Sequence, residues 1–284
     1  LSEGVLVDHD FAAHHPENRI PYLREDSVPG WTRIVDAVHA EGGKIFAQFW
    51  HQGPETRPGV AATAVEEEGE TGVRAATPRD REDLLDAYES AAEASVAAGF
   101  DGVEVHAAHG YLLDSFLRSG DVAFVAEIVR TVKRRLKPGQ PVGLRFSNWR
   151  TKHFDAAYID NPRELEEVLR PLIEAGVDIL HPSTRRFWQP AFDGFPDTLA
   201  KWTMRISGLP TIAVGSVGLE PAEFGGSGEG SIRDLMERYG RGEFDLVAVG
   251  RALIPEPCWT AKVRAERFGE LVTFTQEAIR DVYP

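Results

Sequence analysis

Residues 99–116 read GFDGVEVHAAHGYLLDSF, and this stretch contains a complete transition from a helix end into and out of a strand. The preceding segment Arg81–Ala98 has the spacing of an amphipathic helix, and Gly99 suits a left-handed helix cap. The apolar run Gly102–Ala107 is typical of a parallel strand that is buried on both faces. The stretch therefore predicts a βα unit whose strand ends in polar residues.

The same alternation extends in both directions along the chain. Further strands are predicted at Val5–Val7, Lys44–Trp50, Pro141–Ser147, Asp178–Ser183, Pro210–Ser216 and Asp245–Arg251. Further helices are predicted at Trp31–Ala40, Ala123–Leu136, Arg163–Ala175, Leu199–Ser207 and Ile232–Tyr239. Strands and helices that alternate at this spacing favour a parallel sheet built from repeated βα units.

Two architectures with parallel strands are compatible with this alternation. A doubly wound sheet usually carries a glycine-rich dinucleotide fingerprint directly after its first strand, and none follows any strand here. The glycines of Phe224–Ser231 come well after a strand and are expected to form a flexible loop. A (β/α)8 TIM barrel instead places polar residues after many of its strands. This chain does so at Gln48 and Trp50, His106 and His109, Arg145 and Ser147, His181 and Ser183, Gly215 and Ser216, and Gly250 and Arg251.

The predicted fold is therefore an α/β (β/α)8 TIM barrel that forms a single domain over residues 1–284. Seven strands are found where such a barrel closes with eight, so we expect the first strand–helix unit to be missing ahead of residue 1. The segment Gln52–Pro78, which includes the acidic run Glu66–Glu70, is expected to be a solvated, mobile loop.

The composition excludes several classes of protein. The 284 residues include 31 Lys and Arg against 45 Asp and Glu, which gives a formal net charge of −14. Such a balance argues against nucleic acid and anionic membranes as partners. A single cysteine, Cys258, excludes an internal disulfide framework and a thiolate metal cluster within one chain. No apolar run approaches the roughly 20 residues of a membrane helix, so we expect a cytoplasmic protein.

A pair of imidazoles lies at the end of the strand Gly102–Ala107. His106 and His109 can donate hydrogen bonds to one carbonyl oxygen, and Tyr111 can supply a proton from the opposite side. Histidines are also common metal ligands, but no carboxylate or cysteine lies nearby at ligand spacing, so no metal site is predicted. The alternative is that both histidines only satisfy hydrogen bonds at the strand end.

Two later strands each end in a glycine followed by a polar residue. In PTIAVGSVG these are Gly215 and Ser216, and in FDLVAVGRALI they are Gly250 and Arg251. The loops after the last two strands of a barrel often bind phosphate through backbone N–H groups, and an arginine adds a bidentate cation. The alternative is an ordinary strand end whose arginine pairs with a surface acid. The agreement of the two strand ends favours a phosphate site.

The motifs together resemble the Old Yellow Enzyme family of flavin-dependent ene-reductases, in its bacterial branch. KIFAQFWHQG resembles the third-strand motif of that family, VEVHAAHGYLLDSFL its substrate-binding motif, GLRFS its fifth strand and FDLVAVGRALIPEP its last strand. HPSTRRFWQPAF and PTIAVGSVGL are also similar to segments of that branch, and the likeness extends over the whole chain. The resemblance implies a flavin barrel with FMN as cofactor and NADH or NADPH as hydride donor.

The resemblance also assigns expected roles for cofactor binding. Gln48 is similar to the residue that hydrogen-bonds the pyrimidine edge of FMN. Arg145 is similar to the arginine beside flavin N1, where a cation stabilises the anionic reduced ring. The residues that match the phosphate-binding positions of the family are Gly215, Ser216, Gly250 and Arg251.

The expected substrate is a small-molecule enone or a related α,β-unsaturated carbonyl compound. His106 and His109 resemble the pair that holds its carbonyl oxygen, and Tyr111 resembles the donor that protonates its α-carbon. Trp50 is expected to lie in the substrate pocket, although packing in the core would explain it nearly as well. Hydride donor and enone would enter the same pocket in turn, which implies ping-pong kinetics. The sequence leaves a homo-oligomer open.

Two departures from the family pattern support an alternative. Relatives carry an opening strand and helix, and they continue the LLDSFL segment with an Asn-x-Arg-x-Asp-x-Tyr-Gly-Gly stretch. Here Arg118 is followed by Ser119, Gly120 and Asp121 and then directly by the next helix. The alternative is a barrel of the same family that has lost its flavin and acts as a non-redox enzyme or a binding scaffold.

Overall fold

The computed structural model describes residues 1–13, 20–67, 70–151, 153–219 and 228–282. The chain divides into two compact units, residues 1–180 and residues 181–284. The single domain over residues 1–284 therefore stays a prediction. Within the described residues, no helix combines the length and the apolar character that a bilayer crossing requires.

The helices and strands follow the predicted alternation. In chain order the strands are β1 (Gly4–Leu6), β2 (Phe46–Trp50), β3 (Gly59–Ala61), β4 (Val65–Glu67), β5 (Glu70–Ala75), β6 (Gly102–His109), β7 (Val142–Arg150), β8 (Ile179–Ser183), β9 (Pro190–Phe192), β10 (Phe195–Thr198), β11 (Ile212–Ala213) and β12 (Leu246–Val247). The helices are α1 (Val28–Ala40), α2 (Pro78–Ala98), α3 (Leu112–Arg118), α4 (Val122–Arg135), α5 (Pro162–Glu174), α6 (Leu199–Ser207), α7 (Gly228–Gly240), α8 (Trp259–Arg264) and α9 (Glu277–Val282).

The main sheet has the strand order β1-β2-β6-β7-β8. The pairs β1–β2, β2–β6 and β6–β7 are all parallel, as the apolar strand runs predict. The register places Gln48 beside Glu104 and His106 beside Arg145. Because the carboxyl ends of parallel strands meet at one edge of a sheet, this register brings several predicted site residues of the first unit together.

Local sequence signals explain where the longest helix begins and ends. Thr77 caps α2 by accepting a hydrogen bond from the N–H of Asp80, and the Asp80 carboxylate accepts from the N–H of Thr77 in return. This reciprocal capping box satisfies backbone donors that a helix start leaves without partners. The helix ends at Gly99, whose φ of 89° is the left-handed conformation that the sequence predicts there. The helix therefore delivers the chain directly into β6.

The segment between β2 and α2 is predicted to be a mobile loop, and residues 68 and 69 of its acidic run lie outside the described residues; the described part is not a loop throughout. It contains a small three-stranded sheet in the order β3-β5-β4, with β3 parallel and β4 antiparallel to β5. Val60 and Val73 are buried within it. The pairing of β3 with β5 joins Gly59 to Val73, which are far apart in the sequence, so local composition carries no signal for it.

In the second unit the predicted strands Pro210–Ser216 and Asp245–Arg251 are wrong in length. The strands found in these two segments, β11 and β12, are two residues long each and pair in parallel, with Ile212 beside Leu246. Gly215 and Ser216 have φ of 142° and 53°, outside the strand region, and Arg251 opens a 3₁₀ turn. A flexible loop was also expected at Phe224–Ser231. Residues 224–227 lie outside the described residues, and from Gly228 onward the chain is helical in α7.

Candidate active site

The carboxyl ends of β2, β6 and β7 bring five predicted residues of the first unit together. These residues are Gln48, Trp50, His106, His109 and Arg145. Tyr111 follows directly as the cap residue of α3. We call the side chains of Gln48, Glu104 and Arg145 the polar layer, and those of His106, His109 and Tyr111 the aromatic layer.

The polar layer is a buried network across three neighbouring strands. Gln48 is 6% exposed, and its Nε2 donates to Oε1 of Glu104 over 2.7 Å. Burial lowers the pKa of Arg145, and the negative charge of Glu104 acts in the opposite direction. A buried cation is costly unless an opposite charge compensates it, so Glu104 supports Arg145 in this position. Because the Gln48 amide nitrogen is engaged, Gln48 can offer its carbonyl oxygen to a ligand.

The aromatic layer groups His106, His109 and Tyr111. The ring centroid of His106 lies 5.1 Å from that of His109 and 5.3 Å from that of Tyr111. The centroids of His109 and Tyr111 are 6.4 Å apart. Nδ1 of His106 accepts a hydrogen bond from the N–H of Ala108 over 3.4 Å. In the neutral imidazole the proton is then on Nε2, which makes that atom a donor.

His109 is held in an unusual backbone conformation. Its φ is 67°, and the pairing of β6 with β7 shifts register between Ala107 and His109. Two contacts from β7 and the residue after it fix this bulge: the N–H of His109 donates to Ser147 Oγ over 2.8 Å, and the N–H of Thr151 donates to the His109 carbonyl over 2.9 Å. Trp149 stacks on the imidazole with centroids 4.5 Å apart. The bulge thus re-aims His109 beside His106.

Trp50 lies against the proton donor that the sequence predicts. Its ring is perpendicular to that of Tyr111, with centroids 5.0 Å apart. Its indole Nε1 is buried and has no hydrogen-bond partner among the residues that the structure describes. A buried N–H without a partner is uncommon in folded proteins, and the place of Trp50 in a substrate pocket stays a prediction.

The second unit presents a different kind of arrangement at Gly215 and Ser216. A Cβ on Gly215 would lie 2.6 Å from the carbonyl oxygen of Thr184, so only glycine fits there. The Ser216 hydroxyl donates to the carbonyl oxygen of Arg185 over 2.7 Å. The successive left-handed residues form a tight loop that closes on residues 184–187. Loops of this kind can turn backbone N–H groups towards an anion.

Gly250 and Arg251 are the other two residues of the predicted phosphate site. A Cβ on Gly250 would meet no atom within 4 Å, so the backbone is open to a ligand on that side. The Arg251 guanidinium lies over the ring of Phe274 at 5.9 Å. Partial burial lowers the pKa of Arg251, and the positive charge of Arg185 lowers it further. Two mutually repelling arginines beside a glycine backbone are the donor set that a phosphate group prefers.

Sequence reasoning missed three residues that complete these sets. Glu104 was detectable as the one charge inside the apolar run GVEVHAA. Ser147 was predicted only as a polar strand end, and no sequence signal shows that it accepts from the His109 backbone. Arg185 lies in the pair Arg185–Arg186, and its proximity to Arg251 depends on tertiary folding.

The family model for the NADH:flavin oxidoreductase / NADH oxidase family matches residues 2–270. The chain belongs to this family. Among curated relatives, NADH oxidase from Thermoanaerobacter brockii is 30% identical over 94% of this chain and 44% of its own length. The chain thus spans about half the length of the curated relatives that it matches. The resemblance to the Old Yellow Enzyme group is confirmed.

Two solved structures have the same fold as this flavin oxidoreductase family member. Morphinone reductase in complex with tetrahydroNAD aligns with a TM-score of 0.76 and 22% identity, over 97% of this chain and 79% of its own. The old yellow enzyme homologue from Zymomonas mobilis aligns with a TM-score of 0.71 and 22% identity, over 91% and 77% of the respective chains. The predicted α/β TIM-barrel class is therefore confirmed.

FMN and a nicotinamide nucleotide are the cofactors of this family, and the chemistry of the donor sets fits FMN. The first unit offers a buried amide and a buried guanidinium, which suit the polar edge of the flavin ring. The second unit offers an open glycine backbone and paired arginines, which suit a phosphate. Within the described residues, no group of His, Cys, Asp and Glu is arranged to hold a metal ion.

Proposed function

We propose that this chain supplies the catalytic barrel of an FMN-dependent reductase that uses NADH or NADPH to reduce the C=C bond of α,β-unsaturated carbonyl compounds. The observation that carries the proposal is the grouping of His106, His109 and Tyr111, whose ring centroids lie 5.1 to 6.4 Å apart. Two imidazoles and a phenol around one point are suited to a carbonyl compound that must be both polarised and protonated.

His106 and His109 hold the carbonyl oxygen of the substrate in this proposal. The Nε2–H of His106 donates to that oxygen, because Nδ1 of the same ring is occupied by the Ala108 N–H. His109 donates from the neighbouring turn, in the position that β7 fixes. Positioned donors stabilise the negative charge that develops on the oxygen when the β-carbon accepts a hydride.

Tyr111 donates the proton that the α-carbon needs. Its phenol stands between the imidazoles and the Trp50 ring, so its orientation is restricted on two sides. A positioned general acid typically contributes a factor of about 10² to 10⁴ to the rate. Trp50, at the same point, limits the shape of the substrates that fit.

Bound FMN supplies the hydride-transfer chemistry, with NADH or NADPH as the source of electrons. Gln48 and Arg145 would hold its pyrimidine edge, where the Arg145 cation balances negative charge on the reduced ring. Within the second unit, Gly215, Ser216, Gly250 and Arg251 are the proposed ligands of a phosphate group, with Arg185 as an additional cation.

Flavin content and two half-reactions test the proposal. The purified protein is expected to be yellow, and Tyr111→Phe is expected to slow the half-reaction with an enone at least about 100-fold while it spares the half-reaction with NADH or NADPH. Tyr88→Phe is the matched control, since the Tyr88 hydroxyl is buried without a partner among the described residues and lies on α2. Equal losses in both half-reactions would remove Tyr111 from its role.

One observation favours a second candidate, a flavin-free barrel that acts as a non-redox enzyme or binding scaffold. Only Ser119, Gly120 and Asp121 connect α3 to α4, where the family pattern has a longer stretch. A colourless protein that takes up no added FMN would support this candidate and contradict the first.

A further inference from the structure

The backbone between the two site residues His109 and Tyr111 needs support. His109 and Gly110 both have positive φ, at 67° and 89°. A non-glycine residue in this region is strained, and such conformations persist only where the surrounding structure holds them. Contacts from Ser147 and Thr151 hold His109 itself. The support of Gly110 comes from a different direction.

The carboxylate of Asp114 provides that support. Asp114 lies on α3, is completely buried, and accepts a hydrogen bond from the Gly110 N–H at Oδ2 over 2.8 Å. The same oxygen accepts from Nε of Arg118 over 2.5 Å. The carboxylate therefore joins α3 to the turn at Gly110, which lies between the predicted catalytic residues His109 and Tyr111.

Arg118 connects this carboxylate to the segment that follows β7. Its Nη1 donates to the Ala156 carbonyl oxygen over 2.6 Å, and its guanidinium lies over the Tyr158 ring at 4.6 Å. The fixed position of Arg118 limits how far Asp114 can move. Asp114, Arg118 and Gly110 thus form one connected unit.

We propose that Asp114 is a positioning residue for the reduction, which acts through the Gly110 N–H to set the placement of the His109 imidazole and the Tyr111 hydroxyl. The inference rests on the proposed function of those two side chains. Asp114 is completely buried and bonds the Gly110 backbone and Arg118, so in this inference it acts through the backbone. A displacement of about 1 Å at a reacting group can cost on the order of 100-fold in rate, so a single backbone contact at this point is significant.

The balance of charges around Asp114 supports a pH-sensitive role. Burial raises the pKa of Asp114 to about 6, against the opposing effects of Arg118, the Gly110 N–H and Arg150. Its other oxygen, Oδ1, is buried without a hydrogen-bond partner among the described residues. Protonation of Asp114 would weaken both hydrogen bonds that its Oδ2 accepts, from Nε of Arg118 and from the Gly110 N–H.

The groups that face this carboxyl come from each neighbouring element. Arg118 is on α3, Arg150 is on β7, and the Tyr158 hydroxyl is in the segment after β7. A cavity of about 220 Å³ beside Arg118 and Gly110 adds Glu55 and Arg57 from the segment after β2. At the start of α4, Asp121 pairs instead with Arg81 over 2.7 Å.

The test compares Asp114→Ala and Asp114→Asn in the flavin-loaded enzyme, with 2-cyclohexen-1-one as a neutral enone. Asp114→Ala is expected to lower the rate constant of the enone half-reaction at least about tenfold. Asp114→Asn keeps an oxygen for Gly110 but loses the charge that Arg118 binds, as the protonated carboxyl does, so its rate is expected to equal the lowered rate of the wild type at pH 5. The wild-type rate is expected to fall as the pH drops from 7 to 5, and the Asp114→Asn profile to be flat over that range.

A readout without catalysis separates this inference from the proposed function. Hydrogen exchange at the Gly110 amide is expected to accelerate at least tenfold in Asp114→Ala and to change little in the control Asp80→Asn, which removes an ion-paired acid from α2. Accelerated exchange in a protein that reduces no enone would uphold the contact and reject the proposed function.

Other outcomes would overturn the inference. An unchanged enone rate in Asp114→Ala, or in Asp114→Asn if the alanine variant does not fold, would show that Asp114 does not position the site. A wild-type pH profile that persists in Asp114→Asn would show that the rate does not follow the ionisation of Asp114.

Discussion

The two ends of the strands in the first unit are stabilised in different ways. At the amino ends, one arrangement repeats: Asp101 before β6 accepts from the Ile45 N–H over 2.8 Å, and Asp178 before β8 accepts from the Val142 N–H over 2.7 Å. At the carboxyl end of β6, by contrast, the backbone is strained at His109, whose φ is 67°. A barrel can therefore keep one structural solution at one edge while its chemistry diversifies at the other.

The repeated arrangement also occurs in the second unit. Asp245 before β12 accepts from the Thr211 N–H over 2.9 Å, and its own N–H donates back to the Thr211 carbonyl. Asp101 and Asp178 donate back in the same way, to Ile45 and Val142. In each case an apolar residue and then the aspartate precede the strand, as in Phe100–Asp101 and Phe244–Asp245. The repetition follows from the repeated βα units.

Among the variants that test the difference between the two edges, Asp101→Ala is expected to have the largest effect on stability. The change leaves the buried Ile45 N–H without its acceptor, so we expect the free energy of unfolding to fall by about 2 kcal/mol. The enone half-reaction of the folded protein is expected to stay within twofold of wild type. Denaturant unfolding and stopped-flow kinetics measure the two quantities. Asp155→Ala, at an exposed position, is the control, and a rate loss in Asp101→Ala would mean that the two edges are coupled.

The sequence predicts the strands of the main sheet better than it predicts the strand ends of the second unit. The strands of the main sheet are predictable because their apolar runs are continuous, whereas β3, β4 and β5 are not. The helix α2 is predictable because Thr77, Asp80 and Gly99 mark its ends. The ends of the strands in the second unit are not, because Gly215 and Ser216 leave the strand conformation through tertiary contacts with residues 184–187. Periodicity carries no information on such contacts.

The site is predictable in composition but not in geometry. His106, His109 and Tyr111 are adjacent in sequence, so their grouping in the first unit follows from one strand and one turn. Their support by Ser147, Trp149 and Asp114 depends on the bulge in β6 and on the packing of α3, which no local pattern encodes. The pairing of Glu104 with Gln48 likewise needs the register of β2 against β6.

The pH dependence of stability is expected to have opposite signs at the two edges. Desolvation acts to raise the pKa of Asp101, but hydrogen bonds from its partners outweigh it and lower the pKa to about 2. The stability that this group contributes is present above about pH 4 and is lost as the pH falls towards 2. The pKa of Asp114 is raised to about 6, so its contribution is present below about pH 4 and is lost as the pH rises through 6.

Unfolding free energies of Asp101→Asn and Asp114→Asn across pH 3 to 7 check these signs. Relative to wild type, Asp101→Asn is expected to lose the pH dependence of about 1 kcal/mol between pH 4 and 3. Asp114→Asn is expected to lose the dependence of about 2 kcal/mol between pH 4 and 6. The same sign in both variants would contradict the distinction between the edges.

The smallest expected effect concerns Lys44, one of the side chains that bond Asp101. Its Nζ lies 2.9 Å from Oδ1, but its side chain is 77% exposed, so water and salt screen the pair. We expect Lys44→Met to cost less than about 0.5 kcal/mol and the loss to disappear in high salt. A double-mutant cycle with Asp101→Ala measures the coupling between the two residues. A coupling above about 1 kcal/mol would mean that the surface ion pair, rather than the buried backbone contact with Ile45, stabilises the amino edge.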